Sequence, residues 1–251
     1  MTISAKEVQE LRKISGAGMM ECKSALSETN GDVKEAFKVL REKGVAKAEK
    51  KSSRDANEGL IGVKIKDGIA SIIEVNSETD FVSRNAEFHK LVNAVLDITM
   101  SNYDNKENLS ELCGELISES VGKIGENLVL RRSEFLEGNI YSYIHNSVSP
   151  GLGKIGVLLN LVSEIGDLEE IGKNICMHIA ALNPKSISKE DLNNELINSE
   201  REIIKQQLKD SGKPDNILEK MMEGKLNKFY QENTLLGQPF VIDPTINVEE
   251  Y

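Results

Sequence analysis

The chain has 251 residues, 39% of them hydrophobic and 29% charged, with no tryptophan and a formal net charge of −10. This balance is typical of a folded protein, and we find neither a signal peptide nor a run of about 18 apolar residues that would predict a membrane span. The negative charge argues against a broad nucleic-acid-binding face, because phosphates would be repelled.

The first 44 residues predict three short helices that form a docking module. Apolar stripes at helical spacing end at Gly16-Ala17-Gly18 and at Asn30-Gly31, and Asp32 is placed to cap the third helix. The stripes consist of Val8, Leu11, Ile14, Met19, Cys22, Ala25, Leu26, Ala36, Val39 and Leu40.

Residues 45–58 predict a basic linker, since they are rich in Lys, Ala and Ser and lack a closed apolar face. Residues 1–58 hold twelve Lys or Arg against ten Asp or Glu, so their net charge is about +2 and that of the remaining chain about −12.

From Gly59 the apolar period changes to two, which predicts strands. Two such runs flank Lys66-Asp67-Gly68, and Asp-Gly between strands is a strong hairpin signal. Helices are expected next, one with a core face of Phe88, Leu91, Val92, Val95 and Leu96 and one covering Leu109 to Ile124. Residues 59–138 are therefore predicted as the first subdomain of a core.

The strand and helix pattern then recurs. Strands are expected at 128–135, 138–144 and 155–162, followed by a helix through 177–181. Two hairpin-plus-helix units about eighty residues apart predict a duplicated α+β core of antiparallel hairpins packed with helices. Its second subdomain is assigned to residues 139–184 and 233–251.

Residues 185–232 predict a projecting antiparallel coiled-coil hairpin. Leu192 to Leu208 and Ile217 to Tyr230 are charged helical stretches with widely spaced apolar positions. Between them, residues 210–214 (Asp-Ser-Gly-Lys-Pro) break the pattern.

A search for catalytic motifs finds no supported enzyme site. None of the five Gly-Lys pairs is followed by Ser or Thr, so the P-loop pattern is absent. Residues 151–156 match GxGxxG, but they lie between two predicted strands and precede no helix that could hold pyrophosphate. We therefore predict a protein that is not an enzyme and has no cofactor and no small-molecule substrate.

No histidine or cysteine has metal-ligand spacing, so no metal is expected. His178 is expected in the core and His89 on a helix surface. His145, near a hairpin tip, is the one histidine considered for a contact. The cysteines form no CxxC pair, which favours buried apolar roles and a reducing cytoplasm. They are Cys22, Cys113 and Cys176.

The turn after the second strand departs from a core pattern, because it places a phenylalanine beside a carboxylate at the tip of an element. A purely structural alternative has Thr79 as helix N-cap, Asp80 as first-turn acid and Phe81 as core anchor. An exposed aromatic at such a tip would instead probe a partner's pocket. The corresponding turn of the second repeat, residues 163–167, has no aromatic, so the fold itself does not require one.

Several motifs, in order over nearly the whole chain, resemble the bacterial elongation factor Ts family. Each motif is weak alone, but the set is highly specific. The motifs are Leu11-Arg12, residues 16–20 (Gly-Ala-Gly-Met-Met), Cys22-Lys23, Thr79-Asp80-Phe81-Val82, residues 123–127 (Lys-Ile-Gly-Glu-Asn), 177–181 (Met-His-Ile-Ala-Ala), 211–214 (Ser-Gly-Lys-Pro) and 237–241 (Gly-Gln-Pro-Phe-Val).

The resemblance implies a guanine-nucleotide exchange factor for elongation factor Tu, with a ubiquitin-associated-like N-terminal module. In the family, the Asp-Phe pair wedges into the GTPase domain of GDP-bound elongation factor Tu and disturbs its Mg²⁺ site. The implied contact residues are Thr79, Asp80, Phe81 and Val82 at this site, Arg12, Met19 and Met20 in the N-terminal module, and Ile124, Gly125 and His145 in the core.

Two departures from the family are visible. Asn174 stands where some relatives have histidine, so no contact is assigned there. The chain also ends at Tyr251, where long relatives continue through a helix and a final strand, and we expect a less complete second subdomain. The competing hypotheses are a ubiquitin-like-binding adaptor, resting on the N-terminal helices, and a small-molecule enzyme using the GxGxxG loop.

Overall fold

The computed structural model describes residues 3–164, 166–209 and 214–251, which form two compact units, Met1–Val162 and Ser163–Tyr251. Helices and antiparallel strands combine as expected for the α+β class. The helices are α1 (Ala5–Ser15), α2 (Met19–Glu28), α3 (Val33–Lys51), α4 (Ala86–Ser101), α5 (Leu109–Ile124), α6 (Glu169–Leu182), α7 (Asn194–Lys209) and α8 (Asp215–Asn233). The strands are β1 (Glu58–Lys66), β2 (Ile69–Ser77), β3 (Leu128–Glu137), β4 (Ile140–His145), β5 (Leu152–Gly153) and β6 (Ile155–Asn160).

Helices α1, α2 and α3 pack around an apolar cluster of their own, as the sequence predicts. A capping box begins α1: the Glu7 backbone N–H donates to Ser4 Oγ (3.3 Å) and the Ser4 N–H donates to the Glu7 carboxylate (2.7 Å). Gly16, with φ +68°, ends the helix in the left-handed conformation. The buried members of the cluster are Val8, Leu11, Cys22, Ala25, Leu26 and Ala36.

Helix α3 is longer than predicted, because it continues through residues 44–51 into the predicted linker. That stretch is rich in Ala, Lys and Glu, which favour helix without an apolar stripe. Tertiary contacts stabilise it: just before it, Arg41 forms ion pairs with Glu115 and Glu119 of α5 (3.1 Å for the latter), and within it Ala48 packs on the core. The predicted linker, 45–58, thus begins inside a helix.

The end of this segment is bound to the core by side chains of β3 and its preceding loop. Asn127 Nδ2 donates to the Arg54 carbonyl (2.7 Å), and Arg131 donates to the Ala56 carbonyl (2.8 Å). Residues 54–56 therefore have fixed positions next to the sheet.

A four-stranded antiparallel sheet with the order β3-β2-β1-β5 forms the centre of the first unit. The hairpin between β1 and β2 is confirmed, with Lys66 paired to Ile69. Asp67 and Gly68 have φ values of +52° and +75°, as in a type I′ turn, where the Asp-Gly sequence is favoured.

Both faces of this sheet are covered. Helix α4 lies on one face, where Leu60, Ile73 and Val75 join the main core. The two-stranded sheet of β4 and β6 lies on the other. Glycines allow the close packing on both faces. A Cβ on Gly62 would lie 2.9 Å from the Val92 and Leu96 side chains, and a Cβ on Gly156 would lie 2.5 Å from the Ile61 side chain.

The second hairpin differs from the first. Strands β4 and β6 pair directly, from Ile140 with Asn160 to His145 with Ile155, but the chain between them includes β5, which pairs with β1. The GxGxxG stretch occupies this connection and leads into strand β6, so no helix N-terminus follows it. The duplication of the core stays a prediction.

The second unit contains α6, α7, α8 and the return segment. His178 is fully buried, as predicted: the Val241 backbone N–H donates to its Nδ1 (3.1 Å), and its Nε2 contacts Gln238 Oε1 (3.0 Å). Asn174 donates to the Tyr251 hydroxyl (3.0 Å), and Tyr251 stacks on Phe240 with ring centroids 4.1 Å apart.

Helices α7 and α8 contact each other, with Lys225 donating to Gln207 (2.6 Å). The Lys185 N–H, before α7, also donates to the Asn233 carbonyl at the end of α8 (2.8 Å). The predicted break at 210–214 lies outside the described residues except for Pro214, as does Ile165 of the turn at 163–167.

Candidate functional site

The turn at residues 78–81 lies between β2 and a short 3-10 helix, Val82–Arg84, that precedes α4. The N-cap of α4 is Asn85, whose Oδ1 accepts the Glu87 N–H (2.8 Å). Thr79 is therefore not the cap of this helix, and that part of the purely structural alternative is wrong. The turn is an insertion between strand and helix rather than the start of the helix.

Phe81 and Val82 have opposite environments in this turn. Phe81 is 78% exposed, whereas Val82 is 6% exposed and belongs to the main core. Phe81 is therefore not a core anchor, and Asp80 beside it is also exposed. An aromatic side chain held in water next to a carboxylate offers a partner both apolar area and a negative charge.

Thr79 is fixed by Glu126, which follows the last turn of α5. The Thr79 N–H donates to Glu126 Oε2 (3.0 Å), and its hydroxyl donates to Oε1 (2.6 Å). Both carboxylate oxygens are thus used on one residue. Gly125, with φ +88°, gives the chain the left-handed conformation that ends α5 just before Glu126.

A reciprocal bond joins the neighbouring residues: the Asn127 N–H donates to Glu78 Oε1 at 2.6 Å. This bond lowers the pKa of the Glu78 carboxyl below its ordinary value, and the Arg54 guanidinium 3.4 Å away adds to the effect. Glu78 is therefore a carboxylate at neutral pH and a strong acceptor for the loop after α5.

The other side of the turn is held by Ser83. Its N–H and its hydroxyl both donate to the Asp80 carbonyl, at 3.1 and 2.5 Å. The Ser83 carbonyl in turn accepts from His89 Nε2 (2.8 Å). His89, expected on a helix surface, is half-buried through this contact.

The N-terminal set, by which we mean the predicted contact residues Arg12, Met19 and Met20, lies around the connection between α1 and α2. Arg12 is exposed, and Met19 and Met20 are 55% and 74% exposed. Ile14 adds a further exposed apolar side chain at this end of the module. Such a group of exposed apolar residues is typical of an interaction surface.

The last turn of α5 connects this set to the turn at Phe81. A Cβ on Gly16 would lie 3.3 Å from the Lys123 side chain, so the connection between α1 and α2 lies against α5. Two residues later Gly125 is exposed, and Glu126 holds Thr79. Gly16, in the connection between α1 and α2, thus approaches the last turn of α5, and the residue after Gly125 holds the turn at Phe81.

His145 is linked to this region less directly. It is exposed at the end of β4, its ring Nδ1 is 3.2 Å from the Tyr143 hydroxyl, and its carbonyl accepts the Lys154 N–H (3.1 Å). Lys154 forms an ion pair with Glu58 (3.1 Å), which pairs with Ser77 at the end of β2.

Sequence reasoning missed Glu78, Glu126 and His89 as parts of the turn's support. The motif at 123–127 includes Glu126, but Thr79, the residue that Glu126 binds, is 47 positions away in the chain. The available signal was the strand pairing itself, since a pairing of β2 with β3 brings these two loops together.

Within the described residues, no group of three or more His, Cys, Asp or Glu is arranged to hold a metal ion. None of the described helices is both long enough and apolar enough to span a membrane. The three cysteines are free and buried, and burial raises the pKa of the Cys176 thiol to about 12.

Comparisons with known proteins agree on one family. The sequence profile of the family described as Elongation factor TS matches residues 78–251. Elongation factor Ts of Paracoccus denitrificans is 46% identical over 257 residues, which cover 100% of this chain and 87% of that protein. The corresponding proteins of Bartonella bacilliformis and Parvibaculum lavamentivorans are 45% and 47% identical, each match covering 99% of this chain and 85% of the relative.

Proposed function

Because this chain belongs to the elongation factor Ts family, we propose that it is the guanine-nucleotide exchange factor for elongation factor Tu in translation elongation. It binds the GDP form of that GTPase, disturbs the Mg²⁺ site and releases GDP so that GTP can bind. The observation that carries the proposal is Phe81, 78% exposed on a turn whose neighbours are firmly held.

The physics of exchange is linkage between two ligands of the GTPase. GDP and Mg²⁺ stabilise one arrangement of its phosphate loop, and the exchange factor stabilises an incompatible one. Each ligand must then weaken the binding of the other by the same factor. No bond is made or broken by the exchange factor, so it needs no catalytic group or cofactor of its own and is not an enzyme.

Within the turn the residues have different roles. Phe81 acts as the wedge, and burying its ring in the partner contributes about 1.5–3 kcal/mol. Asp80 reorganises polar contacts near the partner's metal. Thr79 and Val82 hold the pair outward, one through Glu126 and the other through the core.

Other contacts secure the complex. Arg12, Met19 and Met20 bind the same GTPase domain, and their exposure supports this role. Ile124, Gly125 and His145 add contacts from the core. The partner is a protein in the cytoplasm, and binding involves no direct nucleic acid, membrane or small-molecule substrate.

The remaining architecture is assigned in the same way. Residues 1–44 form a ubiquitin-associated-like docking module, and 45–58 the connection to the core. The first core subdomain is 59–138 and the second is 139–184 with 233–251. Residues 185–232 form a coiled-coil hairpin, which the contact between α7 and α8 supports.

Release of a fluorescent GDP analogue from elongation factor Tu, followed by stopped flow with and without this chain, tests the proposal. We expect a large acceleration by the native chain. Phe81→Ala should lower the release rate far more than it lowers complex formation, since the wedge acts on the nucleotide site. Ile65→Ala, which also truncates an exposed apolar side chain, is the matched control. Equal release rates for the native chain and Phe81→Ala would refute the assigned role.

A further inference from the structure

We propose that Glu126 is a positioning residue for nucleotide exchange: its carboxylate orients the Asp80-Phe81 turn before the partner arrives. Glu78 assists from the opposite loop. The inference rests on the proposed exchange function but adds a residue that does not itself need to touch elongation factor Tu.

The first argument is the strand register. Strands β2 and β3 are paired up to Ser77 and Leu128. Continuing the same register would pair residue 78 with 127 and residue 79 with 126. At these positions side-chain carboxylates accept the backbone N–H groups: Glu78 accepts from Asn127 and Glu126 accepts from Thr79. These bonds prolong the hydrogen-bond ladder between β2 and β3 by two residues on each strand.

The second argument is where the turn's other contacts come from. Ser77 donates to the Thr79 carbonyl (3.0 Å), and Ser83 donates to the Asp80 carbonyl. These bonds are local, and with the buried Val82 they hold the two ends of the turn. The bonds of Thr79 to Glu126 come from a loop 47 positions away and fix the middle of the turn, and thereby its direction relative to the sheet.

The third argument is the strength of these bonds. Two donors of Thr79 reach two oxygens of one carboxylate, at 3.0 and 2.6 Å. Hydrogen bonds to a charged acceptor are stronger than neutral ones, and a bidentate pair also fixes the orientation. A turn ordered in advance loses less conformational freedom on binding.

Loss of Glu126 should therefore leave the fold intact and let the turn adopt several directions. Only the fraction with the native direction can wedge productively, and the apparent exchange efficiency falls in proportion to that fraction. This differs from loss of a direct partner contact, whose effect would not depend on Phe81.

The first experiment uses the free chain. Because the sequence has no tryptophan, Phe81→Trp introduces a single fluorescent reporter on the turn. We expect Glu126→Ala to lower its time-resolved anisotropy on the nanosecond scale, and Glu111→Ala, which removes an exposed carboxylate in the first turn of α5, to leave it unchanged. Unchanged anisotropy in the Glu126→Ala chain would overturn the proposal. Circular dichroism checks that each variant is folded.

Thr79 offers a second pair of variants that does not depend on Glu126→Ala folding. Thr79→Val removes the hydroxyl donor at nearly constant shape, and Thr79→Ser keeps it. The proposal requires that the valine variant lowers the anisotropy and that the serine variant does not. Equal behaviour of the two would contradict it.

The second experiment is a double-mutant cycle in GDP release. Glu126→Ala should slow release about tenfold in the native background, as expected for losing a bond to a charged acceptor. In the Phe81→Ala background, Glu126→Ala should slow GDP release by no more than about twofold, because the ring that Glu126 positions is gone. Equal losses in both backgrounds would show direct contact or a folding defect and overturn the proposal. If the native chain did not accelerate GDP release from elongation factor Tu, the proposed function would fail. The anisotropy experiment would still test whether Glu126 positions the turn.

Discussion

Phe81 and Val82 are adjacent in the chain, yet one is exposed and the other is part of the core. The 3-10 helix that begins at Val82 separates the two directions, because a backbone that turns this tightly sends consecutive side chains to different sides. A substitution at each position should therefore report on a different property of the protein.

Val82→Ala is expected to lower the free energy of unfolding by about 2 kcal/mol, from lost burial and the cavity left behind. Phe81→Ala should change it by less than about 0.5 kcal/mol, as is usual for exposed positions. Urea denaturation followed by circular dichroism measures both. A strongly destabilised Phe81→Ala chain would mean that the ring packs on the core in solution.

His178 predicts a pH dependence of stability. Burial lowers its pKa below the ordinary value of 6.5, and Gln238 opposes this only partly. Below pH 6.5 the unfolded chain binds a proton that the folded chain does not, so stability rises with pH across this window and is lost as the pH falls below 6.5. The accepted Val241 N–H adds to the effect, because a proton on Nδ1 would face that donor.

Urea denaturation at pH about 7.5 and 5.5, above the range where most carboxylates titrate, measures this dependence. His178→Gln should flatten it, and His145→Gln, at an exposed position, should retain it. The assignment to His178 is wrong if the pH dependence of the unfolding free energy persists in His178→Gln and disappears in His145→Gln.

The end of helix α5 is set by the left-handed backbone conformation of Gly125 and not by its apolar pattern. Gly125 has φ +88°, and its N–H bonds to the Val121 carbonyl. Gly114, in the interior of the same helix, has open space where a Cβ would be. Gly114 inside the helix and Gly125 at its C-cap therefore predict opposite responses to the same substitution.

Gly125→Ala should destabilise the protein by about 1–2 kcal/mol, because an L residue is strained at positive φ. Gly114→Ala should stabilise it by roughly 0.5–1 kcal/mol through helix propensity. Thermal unfolding of the two variants beside the native chain decides the signs. A shift of the same sign in both would contradict the assigned end of α5.

Elements with a strong local signal could be predicted from the sequence, and those created by distant contacts could not. The Asp67-Gly68 hairpin and the limits of α5 follow from turn chemistry and apolar period. Strand β5 has two residues, too few for any period. The extension of α3 depends on tertiary contacts such as Ala48 on the main core, and its own residues show no apolar stripe.

The same division holds for the candidate site. The turn could be predicted because Phe81 departs from a core pattern, and that departure is visible in the local sequence. Glu126 and His89 contribute through hydrogen bonds whose partners lie on other elements or on the turn itself. Such contacts depend on strand pairing, which one sequence does not reveal.

At the scale of the whole molecule, the proposed contact residues share one compact unit. Arg12, Met19, Met20, the turn, Ile124, Gly125 and His145 all lie within Met1–Val162. That unit has two apolar clusters of its own, one in the three-helix module and one beneath the sheet.

We expect a fragment of residues 1–162 to fold and to accelerate GDP release from elongation factor Tu, with a higher half-saturating concentration than the full chain. The residues 163–251 alone should not accelerate release. Circular dichroism and the stopped-flow assay test both statements. A folded but inactive 1–162 fragment would place an essential contact in the second unit.

The first half of helix α3 belongs to the three-helix module, and its second half lies against α5 and the main core through Gly44 and Ala48. Its 19 residues span about 28 Å at 1.5 Å per residue. The helix therefore fixes both a distance and a rotational phase between Met19–Met20 and Phe81. One residue inserted into its exposed middle would rotate the module by about 100° relative to the turn. Every proposed contact side chain would still be present, but we expect that Met19 and Met20 would no longer face the same proposed partner as Phe81.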